Sequence, residues 1–163
     1  MSGLTIRPYA AGDAPVLGQV YHRAVHEGAA GHYDADQRRA WSPAPPDDAE
    51  WEAKLERVDC VVAERDGAAV GFMSMDMGAG HLELAFVLPA ERRRGTADAL
   101  YAVLEGRARA AGLSGLTVDA SALAERFFAR RGWSVASREL AERHGVLIPR
   151  ARMEKRLSAG QAA

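Results

Sequence analysis

Phe86-Val87-Leu88-Pro89-Ala90-Glu91-Arg92-Arg93-Arg94-Gly95-Thr96-Ala97 is the stretch whose reading decides the fold. An apolar run ends at a proline, arginines follow, and Gly95 opens a segment of helical period. From Gly95 to Ala111 the residues Leu100, Val103 and Leu104 fall on one face, and Gly112 stands at the C-terminal stop. That pattern predicts an amphipathic helix. The leading N–H groups of such a helix have no intrahelical partner and carry the positive end of its macrodipole. Behind a glycine-bearing basic loop they form a site for phosphate or pyrophosphate. Gly95 keeps a β-carbon from coming between anion and backbone, and Arg92, Arg93 and Arg94 add charge and fork-shaped donors. The same residues also read as a basic surface loop before an ordinary helix.

Working back from this stretch, His81 to Leu88 reads as a strand entered through the turn Gly78-Ala79-Gly80. Val70 to Met77 precedes it, and Val61 to Glu64 comes before that across the hairpin signal Asp66-Gly67. The three make an antiparallel meander, in which strand alternation puts His81, Glu83 and Ala85 on one face. Nearer the N-terminus, Leu4 to Pro8 reads as a short strand, and Asp13 as the N-cap of a helix striped with Leu17, Val20, Tyr21, Ala24 and Val25. Gly28 and Gly31 end it. Asp34 or Asp36 caps a second helix reaching Trp41, stopped by Pro43, Pro45 and Pro46, and Asp47 or Asp48 caps a third with Trp51 and Leu55 inward. This helical region, about 14–58, reads as a flap or pocket wall.

Downstream lie a strand (Leu116–Asp119), a helix (Ala122–Arg131) and a hairpin turning near His144-Gly145, with Met153 to Leu157 ending the last strand. The order predicts one α/β domain over 1–163, with a mixed, largely antiparallel central sheet flanked by helices. Its ordered core is expected over about 4–157, with a frayed tail at 158–163.

At 163 residues the chain suffices for one domain and falls short of two ordinary ones. A formal net charge of −1 offers no basic field for nucleic acid or an anionic membrane. No run approaches the roughly 18 apolar residues of a membrane helix, and the first ten residues lack the character of a signal peptide. Cys60, the only cysteine, sits in an apolar run and reads as a buried, inert thiol. A cytoplasmic protein is expected. His22 and His26 are four apart but lack the glutamate of H-E-x-x-H and a third ligand, so no metal is expected. A nucleotide-binding oxidoreductase fails because the glycine follows an antiparallel meander, without G-x-G-x-x-G in a βαβ unit.

Val87-x-Pro89-x-x-Arg92-Arg93-Arg94-Gly95-Thr96-Ala97 resembles the acyl-CoA motif Q/R-x-x-G-x-G/A of the GCN5-related N-acetyltransferase (GNAT) family. Val118 to Trp133 resembles a second family motif, a strand giving way to a helix that ends in "FY", glycine and an aromatic residue. The resemblance covers Leu4 to about Leu157 and implies the GNAT fold, with acetyl-CoA as co-substrate, no metal, and an amine of a small molecule or peptide as acceptor. It implies that Phe86 and Val87 offer main-chain groups to the pantetheine arm at a splayed strand. Arg92, Arg93, Arg94, Gly95, Thr96, Ala97 and Asp98 would surround the pyrophosphate, and Ser121 would lie near the cofactor arm. Ala97 stands where glycine is commoner, and the Asp98 carboxylate suits a diphosphate only if it points away. Relatives often dimerise, so a homodimer is compatible with the resemblance.

Glu83 lies where some relatives carry a catalytic glutamate, which makes it the candidate base; the other reading is an exposed strand residue. The tyrosine that many relatives use as general acid is replaced by Phe128, which has no proton to give. Tyr33, Tyr101 or Ser121 acting through water could take its place, the thiolate could leave unassisted, or the domain is a catalytically weak acyl-CoA-binding regulator. His26, Tyr33 and Trp41 of the helical flap are expected to line the acceptor pocket. Trp51 reads as core at its helical spacing.

Overall fold

Asp66-Gly67 and His144-Gly145 each pass through the left-handed region, at φ of 54° and 86° and of 50° and 78°. Two successive left-handed residues make the type I′ turn that matches strand twist. They join β2 (Asp59–Arg65) to β3 (Ala68–Asp76) and β6 (Ser134–Arg143) to β7 (Val146–Arg156). The remaining strands are β1 (Leu4–Pro8), β4 (His81–Val87) and β5 (Gly115–Ala120). The computed structural model describes residues 3–157, so the expected frayed tail lies outside the described residues. Its seven strands form one sheet in the order β1-β2-β3-β4-β5-β7-β6. Every neighbouring pair is antiparallel except β4 and β5.

Among the described residues five α-helices flank the sheet: α1 (Ala14–Arg23), α2 (Ala35–Trp41), α3 (Ala49–Glu56), α4 (Thr96–Ala110) and α5 (Ala122–Ala129). Both faces of the central strands are covered, which is why β2 reads as a nearly continuous apolar run. Cys60 and Val62 point to one side, where Leu17, Val20, Trp51, Leu55 and Phe72 complete a core with α1 and α3. Val61 and Ala63 point to the other, against Leu100, Leu104 and Phe128 of α4 and α5. No helix among the described residues is long and apolar enough to cross a membrane.

The helix starts show which aspartates act as caps. Asp34 accepts from the Gln37 N–H at 2.8 Å while the Gln37 side chain accepts from the Asp34 N–H at 3.0 Å, a capping box. Asp48 accepts from the Trp51 N–H at 2.9 Å. Asp13 departs from expectation. It stands at the N-cap position of α1, but its carboxylate takes Arg7 at 2.8 and 2.9 Å and the Ala10 N–H at 2.8 Å, and caps no helical N–H. The first helix also differs from the straight one expected, passing into a π-helical turn at Ala24–Gly28. Such turns widen the helix by one residue and are frequent at functional sites. Within α1, Gly18 lies directly under the flap: a β-carbon there would stand 2.0 Å from the Pro46 carbonyl oxygen.

Candidate active site

The site begins with an irregularity in β4. Ser74 of β3 faces Leu84 and Met75 faces Leu82, which leaves Glu83 as an extra residue with no partner across. This is a β-bulge, and it resets the alternation of side chains. Leu82 consequently packs on the α4 side and Leu84 on the α1 side, although they are two apart. The single face expected for His81, Glu83 and Ala85 is therefore broken: Ala85 packs into the α4-side core, while His81 and Glu83 line a cleft. Strict period-two reading fails here because the bulge adds one residue between them.

Beyond the bulge, β4 parts from β5. The two strands pair only at His81 with Thr117 and Leu82 with Val118. From Glu83 to Val87 the edge of β4 facing β5 has no ladder partner, so its main-chain groups are left in a wedge. Backbone N–H and C=O groups in such a place call for a hydrogen-bonding occupant. Phe86 and Val87 lie along this edge, where the resemblance put them.

At the far end of the wedge the chain turns through Pro89–Glu91 into the arginine loop. Arg93 at φ 61° and Gly95 at φ 81° are both left-handed, which curves the backbone into a concavity before α4. Glycine is required at 95 by conformation, and the space its β-carbon would occupy is open. No side chain caps α4, so its leading N–H groups stay available to an anion. The three arginines divide among different tasks. Arg92 donates to the Gly28 carbonyl at the end of the π-turn, Arg94 pairs with Glu91 at 3.4 Å, and Arg93 is exposed and unpaired among the described residues. Asp98 turns aside to pair with Arg131 of the neighbouring segment. Thr96 is fully buried and Ala97 half-buried.

Underneath the loop lies a buried knot. Glu91 takes Arg65 at 2.9 Å and the Thr96 hydroxyl at 2.6 Å. Burial pushes the Glu91 carboxyl up, and the hydrogen bonds from Arg65 and Thr96 with the charges of Arg65 and Arg94 outweigh it, leaving the group below its ordinary value. A carboxylate beneath a basic loop is thus neutralised before any ligand arrives.

At the bulge end, the wedge opens into a cleft of about 170 Å³ walled by the flap, β4, β5 and the β6–β7 hairpin. Its aromatic side is built from Tyr21 on Phe86 (4.6 Å between centroids), Trp41 on Phe86 (6.1 Å) and Tyr33 on Trp41 (5.5 Å). The Tyr33 hydroxyl donates to the Pro149 carbonyl and accepts from the Ala122 N–H, both at 2.8 Å, tying the flap to β7 and α5. Burial raises its pKa. Ser121 lines the cleft and caps α5, accepting from the Ala124 N–H at 3.2 Å. His26 does not line the cleft; its Nε2 bonds the Ser42 carbonyl at 2.7 Å, and the adjoining His22, its ring tilted against that of His26, bonds the Ser42 hydroxyl at 2.7 Å. The two histidines thus hold the C-terminal end of α2 in place.

Phe128 is 1% exposed, packed on Trp133 at 5.0 Å and Phe127 at 5.2 Å. Tyr101 is also buried, its hydroxyl donating to Glu105 and accepting from the Trp133 indole at 2.9 Å. Burial, then the bond to Glu105, raise its pKa. Several cleft residues gave no signal in the sequence. Lys54 and Arg143 belong to segments that look solvated, Tyr21 reads as helix stripe, and Asp119 as a strand end. Only the folding of distant segments onto the bulge brings them together.

Known proteins share this fold. A family model described as an acetyltransferase (GNAT) domain matches residues 29–157. The chain is 35% identical over 146 residues to the uncharacterized N-acetyltransferase YafP of Escherichia coli strain K12, covering 90% of this chain and 91% of that one. It is similar to a GCN5-related N-acetyltransferase from Rhodopseudomonas palustris, with a TM-score of 0.90 and 33% identity over 96% of this chain and 98% of that chain. It shares its fold with YncA of Salmonella typhimurium, solved with its cofactor acetyl-CoA, at a TM-score of 0.69 and 21% identity over 99% and 97% of the two chains. By the family model over most of its length and by two relatives above 30% identity, the chain belongs to the GNAT acetyltransferases and is an acyltransferase.

Proposed function

We propose that the protein moves an acetyl group from acetyl-CoA directly to an amine, as a cytoplasmic enzyme without a metal. The observation that carries this reading is the wedge between β4 and β5, which runs from the uncapped start of α4 to the cleft at Glu83. Unladdered main-chain groups along it suit the amides of a pantetheine arm, and the loop at Arg93–Gly95 suits a pyrophosphate. Acetyl-CoA supplies the thioester. Glu83, which has no hydrogen bond or ion pair among the described residues, takes the proton that the acceptor ammonium must lose, directly or through water. Main-chain N–H groups at the head of the wedge receive the charge that develops on the carbonyl oxygen. Phe128 offers no proton, and the hydroxyl protons of Tyr33 and Tyr101 are committed to Pro149 and Glu105. A thiol of pKa about 8.5 leaves adequately as thiolate near neutrality, so the reaction proceeds without a tyrosine acid and the sulfur takes its proton from water.

Phe128 also favours a second reading, an acyl-CoA-binding regulator without turnover. Titration with acetyl-CoA followed by thiol release across a panel of amines separates them. Binding with release supports the enzyme, binding without release supports the regulator, and no binding refutes both. In the enzyme, Glu83→Gln lowers the rate more at low pH, where the amine is mostly protonated, than at high pH. An unaltered pH–rate profile removes Glu83 as the base.

A further inference from the structure

The charges around the cleft do not balance, and their imbalance points to the acceptor. Six residues that carry or can take a charge line it: Lys54, His81, Glu83, Asp119, Arg143 and Arg150. Arg150 pairs with Glu139 at 2.8 Å, and Asp119 with Arg152 at 3.3 Å. His81 is held through Nδ1 by the Thr117 hydroxyl at 2.8 Å, with Nε2 3.8 Å from Asp119. Glu83, Lys54 and Arg143 remain, none with a hydrogen bond or ion pair among the described residues. Lys54 reaches the cleft from α3 and Arg143 from the end of β6, on the side of Tyr21. Burial raises the Tyr21 pKa, while the Arg143 charge and a hydrogen bond from Trp41 pull it back. Two unpaired cations therefore stand beside an aromatic wall and one unpaired carboxylate.

A simple amine is poorly matched to this arrangement. It arrives as a cation, and the like charges of half-buried Lys54 and exposed Arg143 oppose it. A molecule bearing both an ammonium and a carboxylate meets a complementary partner at each end. Before its proton moves it is neutral overall, with its carboxylate toward Lys54 and Arg143 and its ammonium toward Glu83; once Glu83 holds the proton, the acceptor's −1 faces the +2 of the two cations. The room available agrees: about 170 Å³ is below the roughly 300–1,000 Å³ of a pocket for drug-sized ligands.

We infer that the acceptor is a small amino acid whose carboxylate is held by Lys54 and Arg143, with its amine at Glu83 and its side chain against Tyr21, Trp41 and Phe86. This rests on the acetyl-transfer reading of the same site. It makes Lys54 and Arg143 specificity-determining residues, and it disfavours polyamines and peptide N-termini.

The test is calorimetric binding to the full chain saturated with CoA, using the standard L-amino acids, each against its α-amide. The amide keeps the amine, removes the carboxylate charge and also stands for a peptide N-terminus. At least one acid should bind roughly ten- to a hundredfold more tightly than its amide, the range of a lost charge-assisted contact. Arg143→Gln and Lys54→Met should each shrink that ratio by weakening the acid and not the amide, which loses a repelling neighbour, with the melting temperature near wild type. Amides that bind as well as their acids, no binding by any acid, or a ratio untouched in both variants would overturn the assignment. Failure of the acetyl-transfer reading would look different: CoA itself would not bind in the first titration.

Discussion

Gly18→Ala sets two energies of opposite sign against each other, and the structure decides between them. Gly18 is inside α1, where replacing glycine by alanine ordinarily gains about 1 kcal/mol. Here the new β-carbon would stand 2.0 Å from the Pro46 carbonyl oxygen, whereas ordinary contact begins at 3.4 Å, so something must yield by about 1.4 Å. The atom it meets belongs to backbone, next to a second proline, and has no rotamer into which to retreat. Overpacking costs about 1–3 kcal/mol, and a rigid neighbour places this case in the upper half. The net effect is destabilisation by about 1–2 kcal/mol, a fall in melting temperature of about 2–8 °C for a chain of this length. Thermal unfolding followed by circular dichroism measures it directly. The flap that must move carries Tyr33 and Trp41, so acceptor binding should weaken while acetyl-CoA affinity stays within about twofold by calorimetry. A rise in melting temperature would refute the reasoning, because it would mean that the flap gives way without cost and helix propensity wins.

Other perturbations follow from the site and the core. Gly95→Glu places bulk and negative charge where the loop would hold the pyrophosphate and imposes a left-handed φ on a non-glycine residue, so it should abolish acetyl-CoA binding; unchanged affinity would remove the loop from the site. Glu91→Gln removes the carboxylate charge that faces the buried Arg65 and should cost about 3 kcal/mol at pH 7. Because the Glu91 pKa is depressed in the folded chain, the stability it contributes is present above the ordinary carboxylate range and is lost as pH falls through the folded value. The wild-type advantage in melting temperature should therefore shrink below about pH 4, and a constant difference from pH 7 to pH 3 would show that the charge of Glu91 is not what matters. Cys60 is 5% exposed, and burial pushes its thiol up to about 12. An aromatic disulfide reagent should react with it only as fast as the chain unfolds, and rapid labelling of the native protein would show that the α1–α3 layer opens freely.

Most of the fold could be read from local signals, because those signals settle local geometry. Asp66-Gly67 and His144-Gly145 specify turns that almost no other pairs adopt without strain, and the strands on either side follow from them. The insertion of β7 between β5 and β6 could not be read, since neighbours in a sheet are chosen by long-range pairing that leaves no mark on spacing. The π-turn at Ala24–Gly28 was hidden because its residues continue a helical stripe. Within the candidate site, the glycine loop was plain and the uses of its arginines were not. Arg92 and Arg94 look like anion ligands until the fold brings Gly28 and Glu91 within their reach. Asp98 raised a concern about repulsion that its pairing with Arg131 answers. Lys54 and Arg143 lie 89 positions apart and meet in one cleft only because the fold brings α3 and the end of β6 to its walls.

The surplus residue in β4 sets a limit on how this chain could vary in length. Deleting Glu83 would make the β3–β4 ladder more regular than it is now, and by hydrogen-bond count alone the sheet would be improved. Leu82 and Leu84 would then be direct neighbours and by ordinary alternation would stay on opposite faces, in the layers they fill now, but the cleft would lose Glu83 and β4 the irregularity beyond which it parts from β5. A natural variant shortened at this point would keep its sheet and its interior and lose its candidate base. Lengths of chain between Asp76 and Pro89 should accordingly be far less free than those of the flap, where an added residue in the proline run between Trp41 and Asp48 disturbs no ladder.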